Sequence, residues 1–528
     1  MTTTVDCIVV GAGHNGLTAA CYLAKAGLDV CILERRPDIG GAVATHDMFG
    51  GYQMDVGGSA HIMIHATPVV SDLALEDHGL TYIEMDPWAY YPIRSGGGIA
   101  FYRDLERTCD SIATVSPADA AAYRDFVKFW REINEGVFAS FLKPPTPGNL
   151  LRTMMSGRFG KKGGEVAGTL RKIFTSYGQL ILETFSSQPM RSAMLWLAAQ
   201  SGPPPGEVAT GDFAGWQSMI HLHGAKRPQG GSGMLTQALA RRLESDGGTV
   251  RTDAPVDKIL LEGERAVGVR LKSGEELLAR KAVISATHIL TTMFGLIGRD
   301  RLPSSLADDV DKIRVGNGFG MFLRCATDAL PENEGSATRS GESDPRHTGL
   351  QLLCPSPDYL DNAYADFLRG MPSRDPAVLA MTFSAIDPSL APEGHHTLFL
   401  WSQYHPYERR DGKKWDDVKE AEADRIIDVL VEHAPNMAGS ISDRFVQTPL
   451  DIERLHGMHR GNVMHVEMSF DQMFLFRPTP SLSDYRTPFA NLYLTGASMH
   501  PGGGIFAASG YNVAQVVLRD NRRLFRRG

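Results

Sequence analysis

Three glycines near the N-terminus have the spacing of a turn that binds a phosphate. Gly11, Gly13 and Gly16 form G-x-G-x-x-G directly after the apolar run Cys7 to Val10. The first permits a tight turn, the second lets the backbone approach a pyrophosphate, and the third lets helix and strand pack closely. The N–H groups that begin the next helix would face that phosphate. Glu34 ends the following apolar run, about 20 residues on, where a carboxylate binds ribose hydroxyls and disfavours a 2′-phosphate.

More glycines follow this acid and recur near the C-terminus. Gly40-Gly41 and Gly57-Gly58 suit either an extended cofactor that lies against the backbone or a glycine-rich surface loop. In "LTGASMHPGGGIFAASGYNVA", Gly496 ends an apolar strand, and Gly502 to Gly504 come shortly before a helix. This stretch lacks G-x-G-x-x-G, and no acid follows it. We interpret it as the segment that closes the first site, and we expect no separate NAD(P)H domain.

Longer stretches place these motifs in a known class. "ERRPDIGGAVAT", residues 34 to 45, is similar to the FAD-binding pattern of glutathione-reductase-like flavoproteins. Residues 228 to 288 and 491 to 514 resemble the middle FAD segment and the C-terminal flavin motif of the phytoene desaturase and amine oxidase superfamily. "GNVMHVEMSFDQMFLFRPTP" and "MTFSAIDPSLAPEGHHTLFLWSQYHPY" resemble the branch of CrtO-type β-carotene ketolases and desaturase-like proteins. The resemblance covers nearly the whole chain.

The resemblance implies an α/β fold with a discontinuous, glutathione-reductase-like Rossmann FAD domain. We predict that residues 1–75, 225–300 and 485–528 form this domain. Residues 76–224 and 301–484 would form a mixed α+β substrate domain with a helical region. Periodicity predicts helices in "SPADAAAYRDFVKFWREINEGVFASFL" and "DDVKEAEADRIIDVLVEHA", and strands in "HTLFLWSQYHPY" and "NVMHVEMSF". The predicted FAD contacts are Gly11, Gly13, His14, Asn15, Gly16, Glu34, Arg35, Gly41, Ala42, Gly57, Gly58, Ser59, Val256, Ala286, Gly496, Gly503, Gly504 and Ile505.

Five residues are candidates for contact with the substrate. Met499, Phe506 and Tyr511 depart from the pattern of the relatives near the expected flavin face. They leave FAD binding intact, and they are the positions at which the substrate could differ from that of the relatives. Strand alternation in "NVMHVEMS" would put His465 and Glu467 on one face, where they line a substrate cavity or belong to an ordinary sheet surface.

Two histidines are candidates for catalysis. His61 and His500 each follow a glycine segment, so either could orient a substrate or hold a proton near neutral pH. The alternative is that each bonds backbone atoms. His395-His396 has no partner at ligand spacing, so no metal site is expected. The absence of G-x-S-x-G leaves acyl hydrolysis without a nucleophile motif.

Composition excludes several other classes of partner. The net charge of −8 argues against nucleic acid, which needs a basic face. The six cysteines form no CxxC pair, which favours a reducing compartment over a disulfide scaffold or zinc site. No apolar run reaches the length of a spanning helix, and the N-terminus lacks a signal-peptide pattern. We therefore predict a cytoplasmic protein. The basic stretch within residues 150–175 suggests either peripheral membrane contact or a solvated loop between helices.

We predict an FAD-dependent oxidoreductase, a dehydrogenase, desaturase or ketolase, that acts on a hydrophobic substrate resembling a carotenoid or another isoprenoid. Its electron acceptor would be oxygen or a quinone. One alternative is a dehydrogenase or oxidase of another apolar metabolite, such as an amine, retinoid or polyketide. Another is a non-catalytic flavin-binding scaffold. The length and polarity of the substrate pocket would distinguish the two enzymes.

Overall fold

The computed structural model describes residues 3–154, 163–333 and 344–525. Its strands are β1 (Thr3–Val10), β2 (Val30–Leu33), β3 (Thr45–Met48), β4 (Tyr52–Asp55), β5 (Tyr82–Glu84), β6 (Ala89–Pro92), β7 (Gly98–Phe101), β8 (Lys226–Pro228), β9 (Thr249–Arg251), β10 (Val256–Glu262), β11 (Arg265–Leu271), β12 (Glu276–Ser285), β13 (Gly318–Thr327), β14 (Leu350–Leu353), β15 (Val378–Met381), β16 (His396–Pro406), β17 (Ile441–Gln447) and β18 (Leu492–Leu494). Its α-helices are α1 (His14–Lys25), α2 (Val69–Asp72), α3 (Leu105–Ala113), α4 (Pro117–Phe141), α5 (Pro147–Met154), α6 (Gly163–Phe174), α7 (Tyr177–Thr184), α8 (Gln188–Ala199), α9 (Gly211–Gly215), α10 (Ser218–His223), α11 (Gly233–Ser245), α12 (Ser304–Asp311), α13 (Pro345–Thr348), α14 (Pro357–Leu368), α15 (Trp415–His433), α16 (Pro449–His456) and α17 (Ala508–Phe525).

The first sheet has the strand order β10-β11-β12-β1-β2-β9, and β18 pairs with the end of β12. β1, β2, β9, β12 and β18 run parallel, and Val10 lies opposite both Leu33 and Ser285. Ser285 in turn lies opposite Leu494. The carboxyl ends of four strands therefore meet at one edge, which is where ligands bind in open α/β sheets. All these strands come from the three segments assigned to the FAD domain, whose bounds stay a prediction.

The predicted strand–turn–helix at the N-terminus is confirmed as β1, α1 and β2. Gly11 has φ +101°, a conformation that L side chains rarely adopt. A Cβ on Gly16 would lie 2.1 Å from the carbonyl oxygen of Gly11, so only glycine allows α1 to pack this close to the turn. Local backbone sterics therefore account for both glycines.

The second sheet has the order β17-β13-β16-β15-β14-β6-β7 and is mostly antiparallel. Successive side chains of β16 point to opposite faces of this sheet. Leu398 and Leu400 are buried in one cluster with Leu430 of α15, whereas Phe399 and Trp401 belong to a different cluster on the other face. The strand predicted at residues 396–407 and the helix predicted at 416–434 are both confirmed.

A helical region, α3 to α10, lies between the segments that build the first sheet. The helix predicted from "SPADAAAYRDF" is α4, and the hydroxyl of Ser116 caps it by accepting from the N–H of Asp119. Of the basic stretch, α5 and α6 are described, and Arg171 pairs with Glu183 at 2.8 Å. Met155, Arg158, Phe159, Lys161 and Lys162 lie outside the described residues. Within the described ranges, no helix is long and apolar enough to cross a membrane.

The strand predicted over residues 462–470 is wrong, because this segment is an irregular loop. His465 has φ +65°, which no strand accommodates. The side chain of Asn462 makes the turn: it donates to the carbonyl of Val315 and accepts from the N–H of Met464 at 2.5 and 2.9 Å. Asparagine commonly makes such local bonds in place of a ladder. His465 and Glu467 therefore do not share a strand face.

Candidate functional site

The two glycine-rich turns meet in one cavity of about 690 Å³ at the carboxyl edge of the first sheet. Gly13 belongs to the first turn and Gly504 to the second, and both line this cavity. Helices α1 and α17 also meet here: a Cβ on Gly510 would lie 2.2 Å from the carbonyl oxygen of Asn15. Two motifs nearly 500 residues apart thus form one site.

The N-terminus of α1 points its free N–H groups into this region. Gly13 is the N-cap, no side chain caps the helix, and no acid stands in its first turn. The first N–H groups of an uncapped helix have no partner within the helix and carry partial positive charge. A Cβ on Gly13 would have nothing within 4 Å, so the space beside it is open. This arrangement suits a phosphate anion.

Glu34 directly follows β2, within hydrogen-bond distance of the first glycine turn, and is buried. Its Oε2 accepts a 2.9 Å hydrogen bond from the N–H of Ala12, and Oε1 accepts from the N–H of Arg36 at 3.1 Å. A carboxylate offers about four acceptor positions, so both oxygens keep capacity for ribose hydroxyls. Arg35 and Lys272 also line this end of the cavity.

The segment around Gly57 and Gly58 forms the other side of the site. A Cβ on Gly57 would lie 2.5 Å from the carbonyl oxygen of Ala42, and one on Gly58 would lie 2.7 Å from Cδ1 of Ile505. Glycine is therefore required where these chains approach one another. The hydroxyl of Ser59 is buried and has no hydrogen-bond partner within the described ranges. An orphaned buried hydroxyl at a cavity wall is what a bound polar ligand would satisfy.

Most of the predicted cofactor residues line this single cavity. Those in its wall are Gly11, Gly13, His14, Asn15, Gly16, Glu34, Arg35, Gly41, Ala42, Gly57, Gly58, Ser59, Val256, Ala286, Gly496, Gly504 and Ile505. Gly503 is not in the wall; a Cβ there would lie 2.4 Å from Sδ of Met464. Open helix N–H groups, a buried acid and an unpaired hydroxyl along one elongated cavity fit a dinucleotide such as FAD.

The cavity continues beyond the glycine turns to an apolar wall from the second sheet. Phe322, Leu379, Met381, Phe399 and Trp401 form this wall. Sequence reasoning missed these residues. The alternation in "HTLFLWSQ" was the available signal, since Phe399 and Trp401 stand two apart on one strand face. It could not reveal which face meets a ligand.

Three histidines cluster beside the second glycine turn. His288 lies 5.1 Å from His465 and 4.4 Å from His459 between ring centroids. His288 and His465 line the cavity, and Nδ1 of His465 lies 3.2 Å from the hydroxyl of Ser498. Burial, reinforced by Arg477, lowers the pKa of His465 to about 3. Its imidazole is therefore neutral at physiological pH. His288 was not predicted from the sequence.

Arg477 holds the loop that carries His465. This guanidinium is fully buried, and it donates to the carbonyl oxygens of Met464 and Ala497, each at 2.7 Å. It also donates to the carbonyls of Glu467, Val466 and Gln472. Burial without a carboxylate partner lowers its pKa to about 9. One side chain thus ties the 464–472 loop to the second glycine turn.

His61 and His500 do not line the cavity. The ring nitrogens of His61 lie 3.0 Å from the Tyr82 hydroxyl and 2.7 Å from the Ser232 hydroxyl. His500 packs between Phe141 and Phe474, with Nε2 3.4 Å from the carbonyl of Ser140. Burial lowers the pKa of both imidazoles, to about 3 for His500. His500 thus lies near a backbone carbonyl, as the alternative expects, whereas the ring of His61 bonds two side-chain hydroxyls instead of backbone atoms.

Four of the five predicted substrate residues also lie outside this cavity wall. Met499 is buried in the core of the first sheet, and Tyr511 packs edge-on against Tyr22 at 5.1 Å. Phe506 belongs to an aromatic cluster with Phe138, Phe141 and Trp216. Glu467 pairs with Arg314 at 2.9 Å and lines a separate, smaller cavity. His465 alone of the five lines the main cavity.

Comparison with known proteins agrees with this geometry. The family profile of flavin containing amine oxidoreductases matches residues 16–518. Pyridine nucleotide-disulfide oxidoreductase domain-containing protein 2 of Rattus norvegicus is 30% identical over 98% of this chain and 94% of its own length. A component of the limonene dehydrogenase of Castellaniella defragrans is 28% identical, with the same coverage of 98% and 94%.

Among solved structures, a triple mutant of putrescine oxidase matches with a TM-score of 0.61 at 15% identity, covering 100% of both chains. A likeness at this identity concerns the fold alone, and it confirms the predicted α/β flavoprotein fold. Neither of the two relatives described above is named as a β-carotene ketolase. The predicted ketolase branch therefore rests on the resemblance alone.

Proposed function

Because the chain belongs to the family of flavin-containing amine oxidoreductases, we propose that this FAD-dependent oxidoreductase takes hydrogen from a hydrophobic, isoprenoid-like substrate. Carotenoids are one group within that class. The observation that supports the proposal is the continuity of one cavity from the cofactor cradle to an apolar wall. Cavities of this size, lined mostly by apolar side chains with a few polar groups, are typical of small-molecule sites.

The apolar wall would bind and orient the substrate. Phe322, Phe399 and Trp401 present aromatic surface to the cavity. Leu379 and Met381 extend this wall on the neighbouring strand β15, opposite Trp401 and Phe399. Burial of a hydrocarbon against such a wall contributes about 25 cal/mol for each Å² removed from water. The same packing excludes water from the reacting carbon. The relative named as a limonene dehydrogenase is consistent with an apolar terpene as substrate.

The cofactor residues divide the remaining work. The N-terminus of α1 would hold the pyrophosphate, Glu34 the ribose, and the turns at Gly58 and Gly504 the flavin end. When bound, FAD supplies the two-electron acceptor for the hydrogen that leaves the substrate. The protein's contribution is to hold the substrate against that end of the cofactor.

His465 is the side chain we propose to orient the substrate. Its Nδ1 is near the Ser498 hydroxyl, and Nε2 has no hydrogen-bond partner among the described residues. A neutral imidazole with a pKa of about 3 is a weak base. It therefore suits hydrogen bonding better than proton storage near neutral pH.

The test is anaerobic reduction of the purified, FAD-loaded protein. Limonene and a carotene should bleach the flavin absorbance, whereas an aliphatic diamine should not. Bleaching by the diamine alone would favour the alternative of an amine substrate. Absence of bleaching by every isoprenoid tested, with dithionite still able to reduce the flavin, would count against the proposal.

A further inference from the structure

A second cavity of about 250 Å³ lies beside the main one. Aromatic rings form much of its wall: Phe319, Tyr364, Phe367 and Tyr404. The rings of Tyr364 and Tyr404 lie 5.3 Å apart in an edge-on arrangement. We call this space the outer cavity. No sequence pattern pointed to it, because its wall is assembled from five separate segments.

The outer cavity and the main cavity are separated by a single layer of side chains. Met464 lines both cavities. Trp401 of the main cavity and Phe319 of the outer cavity lie 5.8 Å apart between ring centroids. Gln200 lines one cavity, and Gly202, two residues later, lines the other. At Met464, one residue forms part of the wall of both cavities.

Met464 reaches from the outer cavity to the second glycine turn. Its Cγ would lie 3.9 Å from a Cβ on Gly202, and its Sδ 2.4 Å from a Cβ on Gly503. The side chain is only half-buried. Methionine has three rotatable side-chain bonds and adapts its shape readily. Met464 therefore lies at the boundary between the outer cavity and the cofactor cradle.

Three exposed apolar residues are sequence neighbours of residues that line the outer cavity. Val208, Leu368 and Phe470 directly follow the lining residues Glu207, Phe367 and Ser469 in sequence. Val208 is 69% exposed and Leu368 is 66% exposed. Phe470 is also exposed, and its ring lies 5.6 Å from that of Phe174. Exposed apolar side chains therefore flank the lining residues of the outer cavity along the chain.

Glu207 is a charged group of the outer cavity that remains open to a ligand. Its carboxylate is half-buried and accepts no hydrogen bond from the described residues. The other charged and amide side chains of this wall have partners: Arg314 binds Glu467 and Asp471, and Asn462 binds backbone atoms. Burial, then the charges of Glu467 and Asp471, raises the pKa of Glu207. A hydrogen-bond donor from a ligand would relieve this desolvation.

We propose that the outer cavity is the second chamber of one substrate path, in which Glu207 accepts a hydrogen bond from the polar end of an elongated apolar substrate. Met464 stands between the chambers and moves when such a molecule spans them. The reacting carbon then lies at the cofactor cradle, and a hydroxyl or ammonium group lies beside Glu207. This inference rests on the proposed function, since it assumes that an apolar molecule occupies the main cavity.

The first experiment uses the FAD-loaded protein and three ligands of equal chain length: decane, decan-1-ol and decylamine, each below its aggregation limit. Binding is followed as a change in the flavin absorbance band. The alcohol and the amine should bind about tenfold tighter than the alkane, the advantage of one hydrogen bond to a charged group. Glu207→Leu should remove both advantages. Glu207→Gln should keep most of the advantage of the alcohol, because an amide oxygen still accepts from a hydroxyl, and should reduce that of the amine more, because the attraction between opposite charges is lost.

The control variant is Glu393→Gln, which removes one exposed carboxylate near the opposite end of β16 from Tyr404. It should bind all three ligands as the unaltered protein does. If Glu207→Leu also does so, the outer chamber is overturned while the proposed function stands. If none of the three ligands perturbs the flavin of the unaltered protein, the proposal that the main cavity binds an apolar substrate is overturned as well.

The second experiment tests Met464 by stopped-flow mixing with decan-1-ol. Met464→Trp should slow association at least tenfold, whereas Met464→Leu, which nearly conserves volume, should have a smaller effect. Met464→Ala should associate faster than the unaltered protein. Flavin content is measured for each variant, so that a loss of cofactor is not mistaken for slow entry. Equal association rates in the Ala and Trp variants, both with full flavin, would show that ligands do not pass Met464.

Discussion

The N–H of Ala12 donates a 2.9 Å hydrogen bond to Oε2 of Glu34, 22 residues further along the chain. This bond joins the glycine turn after β1 to the acid after β2. Both elements end at the same edge of the first sheet because Val10 lies opposite Leu33. The protein's own hydrogen bonds thus set the distance between the acid and the turn.

Gly13→Val should abolish FAD binding without unfolding the protein. A Cβ on Gly13 meets nothing within 4 Å, so the new side chain would occupy the space of the pyrophosphate rather than clash with the protein. The measurements are flavin content by absorbance and folding by circular dichroism. Gly148→Val is the matched control, since that glycine is exposed and equally unobstructed. Full flavin in Gly13→Val would place the pyrophosphate elsewhere.

Glu34→Gln should weaken FAD binding about tenfold, because a neutral amide accepts ribose and backbone hydrogen bonds less strongly than a carboxylate. The dissociation constant can be measured by titrating FAD into apoprotein and following quenching of its fluorescence. Glu262→Gln changes an exposed acid on the same sheet and should leave the constant unchanged. An equal loss in both variants would mean that net charge, not ribose contact, is responsible.

Arg477→Met should lower the free energy of unfolding by about 3 kcal/mol or more, because several buried carbonyls lose their donor at once. The 464–472 loop, which carries His465, should loosen with it. Urea denaturation gives the first quantity, and proteolysis within the loop gives the second. Arg410→Met, at an exposed position, should change neither. A stable Arg477→Met variant with a protected loop would contradict this role.

Stability should fall as the pH is lowered from 7 to 5. Burial lowers the folded-state pKa of His405 to about 3, against an unfolded value near 6.5. Between these values the unfolded chain binds the extra proton, so the free energy of unfolding decreases as the pH falls. The loss is about 2 kcal/mol for such a histidine by pH 5.

His405→Gln should make this pH dependence shallower, since glutamine does not titrate. His405 lies 3.0 Å from the Ser402 hydroxyl and packs near Trp415, away from the cavity wall. The measurement is urea denaturation at several pH values. A slope unchanged by the substitution would mean that His405 takes up its proton in the folded state.

The first glycine turn illustrates what could be predicted from the sequence. Gly11 adopts a positive φ, and Gly16 packs against the backbone of Gly11. Both requirements therefore arise within six residues. Helix α4 could be predicted for the same reason, because its cap Ser116 and its apolar period are adjacent in the chain. Local sterics and periodicity leave few alternatives at such places.

The loop at His465 illustrates the opposite case. Alternating residues in "NVMHVEMS" predicted a strand, yet the structure has a loop with a positive φ at His465. Bonds to distant residues hold this loop: Asn462 donates to the carbonyl oxygen of Val315, and Arg477 donates to the carbonyl oxygens of the loop. Such contacts carry no period that a sequence pattern could show.

The cofactor turns and the acid at Glu34 could be inferred from the order of residues, because each depends on neighbouring residues, whereas the α/β class was implied by the resemblance of longer stretches to a known family. Which side chains a substrate could contact depends instead on the tertiary structure. Folding brought Phe399 and Trp401 to the cofactor cradle and placed Met464 between two cavities. It also directed Met499 and Tyr511 away from the cavity wall. Packing between distant segments sets these positions, and burial is a property of the whole fold rather than of any stretch of it.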